Sequence, residues 1–317
     1  MPRQHKPRVR RRIIRHPIVE RGLLVGKRGS DWLVAKSLLG ALALARKLPA
    51  ERATDLAERA GRRFAHRLPR AKRARANMAL AFPDRSDAEL DEMVRGVWGN
   101  VARTIAEYVF LDELFDFDVE NPDVGRVEVS GIDNFVKVRD GGRPAIIFTA
   151  HTGNWEILPV GAAAYDLNVT ALFRTPNNPY LAEYLLAART TEKGHLVPSR
   201  AGAAWALGRV LEKNGAVGVL VDQHFKRGVP ITFMGRPALG NPLVAKLARQ
   251  YDCDIHPARC VRLPGGRFRL ELEDAIDVPR RDGQIDVKAL TQTLADVVER
   301  WVREHPEQWL WLHRRWR

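Results

Sequence analysis

The chain is poor in the residues that most often carry covalent or metal chemistry. It has 317 residues and only two cysteines, Cys253 and Cys260, whose spacing fits neither a disulfide framework nor a metal site. We expect buried structural thiols and a reducing compartment. No Gly-x-Ser-x-Gly motif is present, and no serine or cysteine lies in a strand-to-turn position near His151, the candidate discussed below. These absences argue against a covalent enzyme intermediate.

Acidic residues are also few. Asp and Glu number 38 against 52 Lys and Arg, which gives a formal net charge of +14. Such an excess predicts acidic partners, namely nucleic acid, an anionic membrane surface or an acidic protein. Much of it lies in a basic N-terminal tail, which we place at residues 1–30, with Arg8, Arg10, Arg11 and Arg12 at its centre. No long apolar segment with a cleavage site follows closely, so we do not expect a secretory signal.

The sequence also lacks a clean hydrophobic run of about 20 residues, the length that a membrane-spanning helix needs. The nearest candidate, residues 32–45, is mostly apolar but contains Lys36. We expect a helix that lies in a membrane interface, with basic flanks on anionic lipid. A buried helix of a soluble protein stays open, as does a short span in which the Lys36 side chain reaches the interface.

The apolar pattern changes near residue 120. Residues 31–120 predict a helical, membrane-proximal region, in which Ser86-Asp-Ala-Glu89 is a capping box that opens a helix. Residues 121–317 alternate strands and helices, which predicts an α/β domain with a mixed, mostly parallel sheet and flanking helices. The predicted strands are 127–129, 145–149, 169–173, 195–197, 217–221, 255–261 and 268–272, and the helices between or after them are 155–164, 180–189, 203–211, 242–251 and 290–304.

The strongest candidate for chemistry is His151, which directly follows the apolar run Ala145–Ala150. Asn154 predicts the cap of the next helix, which places Glu156 in its first turn. His151 then lies at the carboxyl end of a strand, where open α/β sheets bind their ligands. The Glu156 carboxylate can reach one imidazole nitrogen and leave the other as a general base. Metal binding by His151 is the rival hypothesis, but no third ligand has a suitable spacing, so we expect no metal.

Two further strands end in polar residues. Arg174 follows the strand at 169–173, where its guanidinium suits a substrate anion, although an ordinary surface arginine would look the same. Asp222 and Gln223 follow the strand at 217–221, and Asp222 either binds substrate or caps a turn. The loop at 228–237 either shapes an acyl or headgroup pocket or is an ordinary edge loop. The chain closes on Trp309-Leu-Trp311-Leu-His313, which with its arginines suits a wet–apolar boundary, phosphorylated ligands or stacked nucleic acid bases.

Together these segments resemble the bacterial lipid A biosynthesis acyltransferases, within the glycerolipid acyltransferase superfamily and its His-x4-Asp/Glu motif. The resemblance covers about residue 30 to the end. Its motifs are His-Thr-Gly-Asn-Trp-Glu at 151–156, Phe-Arg-Thr-Pro-Asn-Asn-Pro at 173–179, Val-Asp-Gln at 221–223, Gly-Val-Pro-Ile-Thr-Phe-Met-Gly at 228–235 and Pro-Glu-Gln-Trp-Leu-Trp-Leu-His-Arg-Arg at 306–315.

The resemblance implies an O-acyltransferase that moves a fatty acyl chain from acyl carrier protein to a hydroxyl of a Kdo-bearing lipid A precursor. It implies no cofactor and a position at the cytoplasmic face of the inner membrane. His151 and Glu156 would be the catalytic pair. We count Asn154, Arg174, Asp222 and Gln223, which lie in the matching motifs, as candidate substrate-binding residues.

Three alternatives stay open. The same chemistry could act on another membrane glycolipid, such as a glycolipid mannoside, or on a phospholipid. A polyanion- or nucleic-acid-binding protein would show salt-sensitive binding without acyl transfer, although no nucleic-acid-binding motif is present. A lipid-bound interaction protein with an inactive site would be indifferent to the loss of His151.

Overall fold

The computed structural model describes residues 17–64, 68–122, 124–182 and 195–316. Residues 1–16 of the predicted basic tail lie outside this part of the chain. So does the predicted helix at 180–189 beyond residue 182.

The first part of the described chain is helical, as predicted. Ser86 caps the fourth helix: its side chain accepts a hydrogen bond from the Glu89 backbone N–H, and the Glu89 carboxylate accepts one from the Ser86 backbone N–H. This is the predicted capping box. The first helix is longer than expected, because residues 17–30, which we assigned to the tail, continue into the apolar segment. The helices are α1 (Pro17–Ala45), α2 (Ala50–Phe64), α3 (Pro69–Ala81), α4 (Asp87–Glu107) and the short α5 (Leu111–Leu114).

The rest of the chain forms a mixed α/β layer around a seven-stranded sheet. All seven predicted strands are present, with bounds that agree to within a residue or two. The strands are β1 (Val127–Ser130), β2 (Ala145–Thr149), β3 (Val169–Phe173), β4 (His195–Pro198), β5 (Ala216–Leu220), β6 (Val229–Phe233), β7 (Arg236–Gly240), β8 (Asp254–Arg262), β9 (Phe268–Leu272), β10 (Arg280–Arg281) and β11 (Gln284–Ile285). The helices of this layer are α6 (Ile132–Asp140), α7 (Ile157–Ala164), α8 (Ala203–Leu211), α9 (Leu243–Tyr251) and α10 (Val287–Glu304).

The order of the strands in the sheet, β1-β9-β8-β2-β5-β3-β4, brings the site together. β8, β2, β5, β3 and β4 run parallel, while β9 pairs antiparallel with β8 and parallel with β1. Because β5 lies between β2 and β3, the residues after β2 and β5 are neighbours at one edge of the sheet. Arg174, after β3, is one strand further from His151 than the order along the chain suggests.

The helical region and the sheet share a hydrophobic core. One cluster joins Met78 of α3 and Val97 of α4 with Phe148 of β2, Val219 of β5 and Trp301 of α10. The helices at 31–120 therefore pack on the sheet rather than around a separate core. Both cysteines are buried, and burial raises the pKa of each thiol to about 12. This agrees with the expected structural role.

Two local predictions are corrected. The segment 228–237 is mostly the hairpin of β6 and β7, which turns at Met234 and Gly235, both at positive φ. This hairpin packs against α10 through the Gln292 side chain, which donates to the Thr232 carbonyl over 2.9 Å, and it does not line the cavity described below. The terminal aromatic segment is internal rather than interfacial, because Trp309 and Trp311 are only 2% and 0% exposed.

α1 has two faces. Leu38, Leu39 and Leu42 point inward, whereas Leu33 and Val34 are each 59% exposed. Among the helices of the described residues, none has a stretch that is both long and apolar enough to cross a bilayer.

Candidate active site

The centre of the site is His151, on the turn that follows β2. Its Nδ1 lies 2.8 Å from Oδ1 of Asp222, and its backbone N–H donates to Oδ2 of the same carboxylate over 3.1 Å. Asp222 follows β5, so the two residues meet because β2 and β5 are adjacent. Their side chains are 12% and 1% exposed, respectively. The structure thus forms a buried histidine–carboxylate pair whose members are far apart in the sequence.

The Asp222 carboxylate has a third donor, Nε1 of Trp309, at 2.8 Å from Oδ2. Burial by itself would raise the pKa of Asp222. The His151 imidazole, the His151 backbone N–H and the Trp309 indole N–H outweigh burial, and together they lower the pKa of this carboxyl. Asp222 is therefore an anion that only accepts hydrogen bonds, so the facing Nδ1 of His151 carries a proton. In the neutral imidazole, Nε2 then has the lone pair of a general base.

This pairing corrects our prediction for Glu156. We expected Glu156 to hold the imidazole, but Asp222 occupies that position at Nδ1. The helix begins two residues later than predicted, at Ile157, with Glu156 as its N-cap. Glu156 accepts a hydrogen bond from Nε1 of Trp155 over 3.0 Å and lines the same cavity as His151. It remains a candidate for a role near the substrate.

Asn154 is also placed differently from our prediction. Its side chain has no exposed surface, so it cannot touch substrate in this conformation. Its Nδ2 donates to Oε2 of Glu107 over 2.9 Å, and its Oδ1 accepts from the Glu156 backbone N–H over 3.1 Å. Asn154 therefore shapes the turn between His151 and α7.

A buried network of ion pairs contacts the turn between β2 and α7. The Glu107 side chain is 1% exposed and pairs with Arg103 and Arg262. From α4, Thr104 donates to the Gly153 carbonyl over 3.3 Å. Gly153 has a φ of +55°, and a Cβ there would lie 2.2 Å from the Cys260 carbonyl oxygen. A glycine is therefore required at this point of the turn.

The C-terminal segment completes the site. Thr152 and Trp309 form an antiparallel bridge, and the Leu310 N–H donates to the His151 carbonyl over 3.0 Å. The side chain of His313 lies beside His151, with the ring centroids 5.8 Å apart. Gln223 lies between the two rings, because its Nε2 is 3.3 Å from Nε2 of His151 and 3.3 Å from Nε2 of His313. The sequence singled out Gln223 but gave no reason to expect His313 at the site.

His151 lines a large cavity of about 1070 Å³, at the upper end of the roughly 300–1,000 Å³ typical of ligand sites. Its wall is mainly apolar and comes from helices α1, α4 and α7 and from the sheet. Glu156, Gln223 and the cations Arg70 and Arg174 are among the polar residues that line the same cavity as His151. Arg174 is exposed, as a substrate-binding guanidinium needs to be. Within the described part of the chain, no group of three or more His, Cys, Asp or Glu side chains is arranged to hold a metal.

The fold and the site define a class: an α/β protein with a buried histidine–aspartate pair at the carboxyl edge of a mostly parallel sheet, beside a large and mainly apolar cavity. The sequence profile of the bacterial lipid A biosynthesis acyltransferase family matches residues 18–317. The chain belongs to this family of acyltransferases, as the sequence motifs predicted.

The curated relatives that the chain matches are distant in sequence, and they are named as acyltransferases. A phosphatidylinositol mannoside acyltransferase of Mycolicibacterium smegmatis is 24% identical over 81% of this chain and 83% of its own length. A phosphatidylinositol mannoside acyltransferase of Mycobacterium tuberculosis is 23% identical over 192 residues, which are 59% of each chain. The match therefore spans little more than half of the latter protein.

Proposed function

We propose that this protein is an O-acyltransferase that moves a fatty acyl chain from the thioester of acyl carrier protein to a hydroxyl of a Kdo-bearing lipid A precursor. One observation carries the proposal: a histidine whose Nδ1 is held by a buried aspartate lines a large, mainly apolar cavity. A base of this kind activates a hydroxyl, and the cavity suits an alkyl chain.

In the proposed mechanism, donor and acceptor bind together. Nε2 of His151 takes the proton of the acceptor hydroxyl while the oxygen attacks the thioester carbon. The C–O bond forms and the C–S bond breaks. The imidazolium, stabilised by the Asp222 carboxylate, returns its proton to the leaving sulfur. Holding both substrates beside the base removes most of the entropic cost of a bimolecular step.

The charges near the cavity support anionic substrates. Arg70 and Arg174 line the cavity, and a planar guanidinium can hold a phosphate through two hydrogen bonds. The net charge of +14 is complementary to an acidic carrier protein and to an anionic inner-membrane surface. We therefore assign Arg174 to a phosphate of the acceptor or of the donor's phosphopantetheine arm.

We place the protein at the cytoplasmic face of the inner membrane, bound through α1. The inner face of this helix lines the cavity while Leu33 and Val34 on its outer face are exposed. An acyl chain that leaves the bilayer at α1 would reach the cavity directly. The double change Leu33→Glu and Val34→Glu should abolish co-flotation with anionic vesicles. The matched control is Trp205→Glu, which alters a 72% exposed side chain on α8 and should leave flotation unchanged.

The second candidate acceptor is a mannosylated glycolipid, which the named activity of the mycobacterial relatives favours. The test is to incubate purified protein with acyl carrier protein thioester, or with the coenzyme A thioester, and either acceptor. Mass spectrometry then detects the acylated lipid. Transfer to the Kdo-bearing precursor, absent in His151→Ala, is the expected result. Transfer only to the mannoside would show that the acceptor is the mannosylated glycolipid and not the Kdo-bearing precursor. Undiminished transfer by His151→Ala would overturn the mechanism.

A further inference from the structure

The residues around Nε2 of His151 form a second hydrogen-bonded chain that the proposed mechanism leaves unused. Gln223 lies 3.3 Å from Nε2 of His151 and equally far from Nε2 of His313. One carboxamide nitrogen thus contacts two imidazoles. An NH2 group has two N–H donors and no acceptor, so it can satisfy both contacts at once only if each ring offers a lone pair.

The lone pair at His151 follows from Asp222, which fixes the proton on Nδ1. The lone pair at His313 follows from its surroundings. Burial lowers the pKa of His313 to about 4, helped by the guanidinium groups of Arg174 and Arg70 and opposed by the Asp222 carboxylate. His313 is therefore neutral near pH 7 and can accept at Nε2. These charged groups come from α3 and from the turns after β3 and β5, so they surround His313 from several elements.

The main chain of the C-terminal segment holds His313 in place. The Asn77 side chain, buried on α3, donates to the carbonyls of Trp311 and His313 over 2.9 and 2.6 Å. The Leu310 N–H bonds the His151 carbonyl, so the segment is attached to the same turn that carries the base. The position of His313 relative to His151 is therefore fixed by backbone contacts at both ends.

We propose that His313 is a positioning residue that acts through Gln223: it holds the Gln223 amide so that an N–H points at Nε2 of His151. This inference rests on the proposed acyl transfer. Without substrate, that N–H occupies the place of the acceptor hydroxyl and keeps the lone pair of Nε2 directed at the cavity. When a hydroxyl donates to Nε2, it displaces the N–H that pointed there. The other N–H of Gln223 stays bonded to His313 and holds the amide in place, so the displaced N–H donates to the hydroxyl oxygen and orients the hydroxyl for attack.

The chemistry predicts different effects for two substitutions in this chain. Gln223→Glu replaces the donor with a carboxylate that accepts from Nε2 of His151 and so favours the imidazolium. The acid limb of the pH–rate profile should move to higher pH by about one to two units. His313→Leu removes the anchor and frees the amide to rotate, so kcat should fall about tenfold while KM changes little, as expected for loss of one hydrogen bond.

His313→Gln offers an acceptor oxygen at nearly the same position and should recover most of the activity that His313→Leu loses. The matched control is His195→Leu, which removes an exposed histidine at the start of β4. The decisive comparison is the double variant. If His313 acts only through Gln223, adding His313→Leu to Gln223→Ala should cost no further activity. Full additivity of the two losses would overturn the proposal.

A readout without acyl transfer separates this inference from the proposed function. Nitrogen-15 NMR of histidine-labelled full-length protein reports the tautomer of His151. We expect Nδ1–H in the wild type and an imidazolium that persists to higher pH in Gln223→Glu. An unchanged titration of His151 in Gln223→Glu would refute the positioning role even if the enzyme transfers acyl chains. The expected titration with no transfer to any acceptor would instead refute the proposed function.

Discussion

The change Asp222→Asn tests the catalytic pair most sharply, because the hydrogen bonds around Asp222 dictate how an amide would lie there. Oδ2 accepts from two donors, the His151 backbone N–H at 3.1 Å and the Trp309 indole N–H at 2.8 Å, while Oδ1 faces Nδ1 of His151 at 2.8 Å. An asparagine that keeps both donors satisfied must place its oxygen at the Oδ2 position. Its NH2 group then points at Nδ1.

That orientation of the amide reverses the tautomer of His151. Nδ1 must accept from the amide, so the imidazole proton moves to Nε2 and the lone pair no longer faces the cavity. The opposite orientation would leave two buried N–H donors without an acceptor, at about 1–3 kcal/mol each. Since about 1.4 kcal/mol is a factor of ten, the inverted tautomer should dominate. We expect kcat to fall by about 10²- to 10⁴-fold, the usual contribution of a general base.

The assay is single-turnover acyl transfer together with nitrogen-15 NMR of the histidines and thermal melting. The matched control is Asp84→Asn, the same chemical change at an exposed turn, which should leave all three measurements unchanged. A folded Asp222→Asn protein that keeps kcat within about threefold of wild type, or whose His151 keeps its proton on Nδ1, would refute the reasoning.

The same structure predicts the outcome of four other experiments. Glu156→Gln should lower kcat/KM less than Asp222→Asn does, with an unchanged melting temperature, because Asp222 rather than Glu156 holds the imidazole; an equal loss would restore Glu156 as the partner. Arg174→Lys keeps a charge but loses the planar fork, so steady-state kinetics should show a raised KM with unchanged stability; a large drop in melting temperature at full activity would make Arg174 structural. Glu107→Gln leaves the buried Arg103 and Arg262 without their shared anion and should cost about 3 kcal/mol in denaturant unfolding; a loss below about 1 kcal/mol would contradict this. His313 is neutral in the fold but protonated in the unfolded chain between about pH 6.5 and 4, so folding stability should fall through that window as the pH drops, by up to about 3 kcal/mol; an equal fall in His313→Gln would contradict this assignment.

Local sequence patterns predicted the elements of the fold well. β2 and β3 are apolar runs bounded by polar turns, and their bounds agree with the structure because a buried parallel strand needs continuous apolar residues. The capping box at Ser86 located the start of α4 for a similar reason, since its hydrogen bonds span only three residues. Features set by short-range chemistry were therefore readable in advance.

The partner of His151 could not be predicted from local patterns, because it depends on the order of strands in the sheet. Glu156 is five positions away and looked sufficient, whereas Asp222 is 71 positions away. Only the placement of β5 beside β2 brings it to the imidazole. The sequence did contain a signal for Asp222, since β5 is an apolar strand followed by polar residues, as β2 is before His151. Strand order itself leaves no local pattern, so the two could not be matched.

The terminal aromatic segment was misread for a related reason. Tryptophans mixed with arginines look amphipathic, and we placed them at a surface. In the fold Trp309 forms a bridge with Thr152 and donates to Asp222. Arg315 is only 2% exposed, and its guanidinium lies 4.6 Å from the ring centre of Phe233. These contacts are all long-range. Composition indicated the chemistry of the segment but not the surface against which it packs.

The same long-range contacts explain why the catalytic turn can be both polar and buried. A histidine base needs a carboxylate partner, yet a buried carboxylate is costly unless every oxygen is bonded. At Asp222 the donors come from the His151 turn and from the C-terminal segment, and at Glu107 they come from α4, β8 and Asn154. Each anion thus joins the turn to a separate part of the fold. A change that loosens α4 or the C-terminal segment should therefore lower activity, because the position of the turn depends on hydrogen bonds from both.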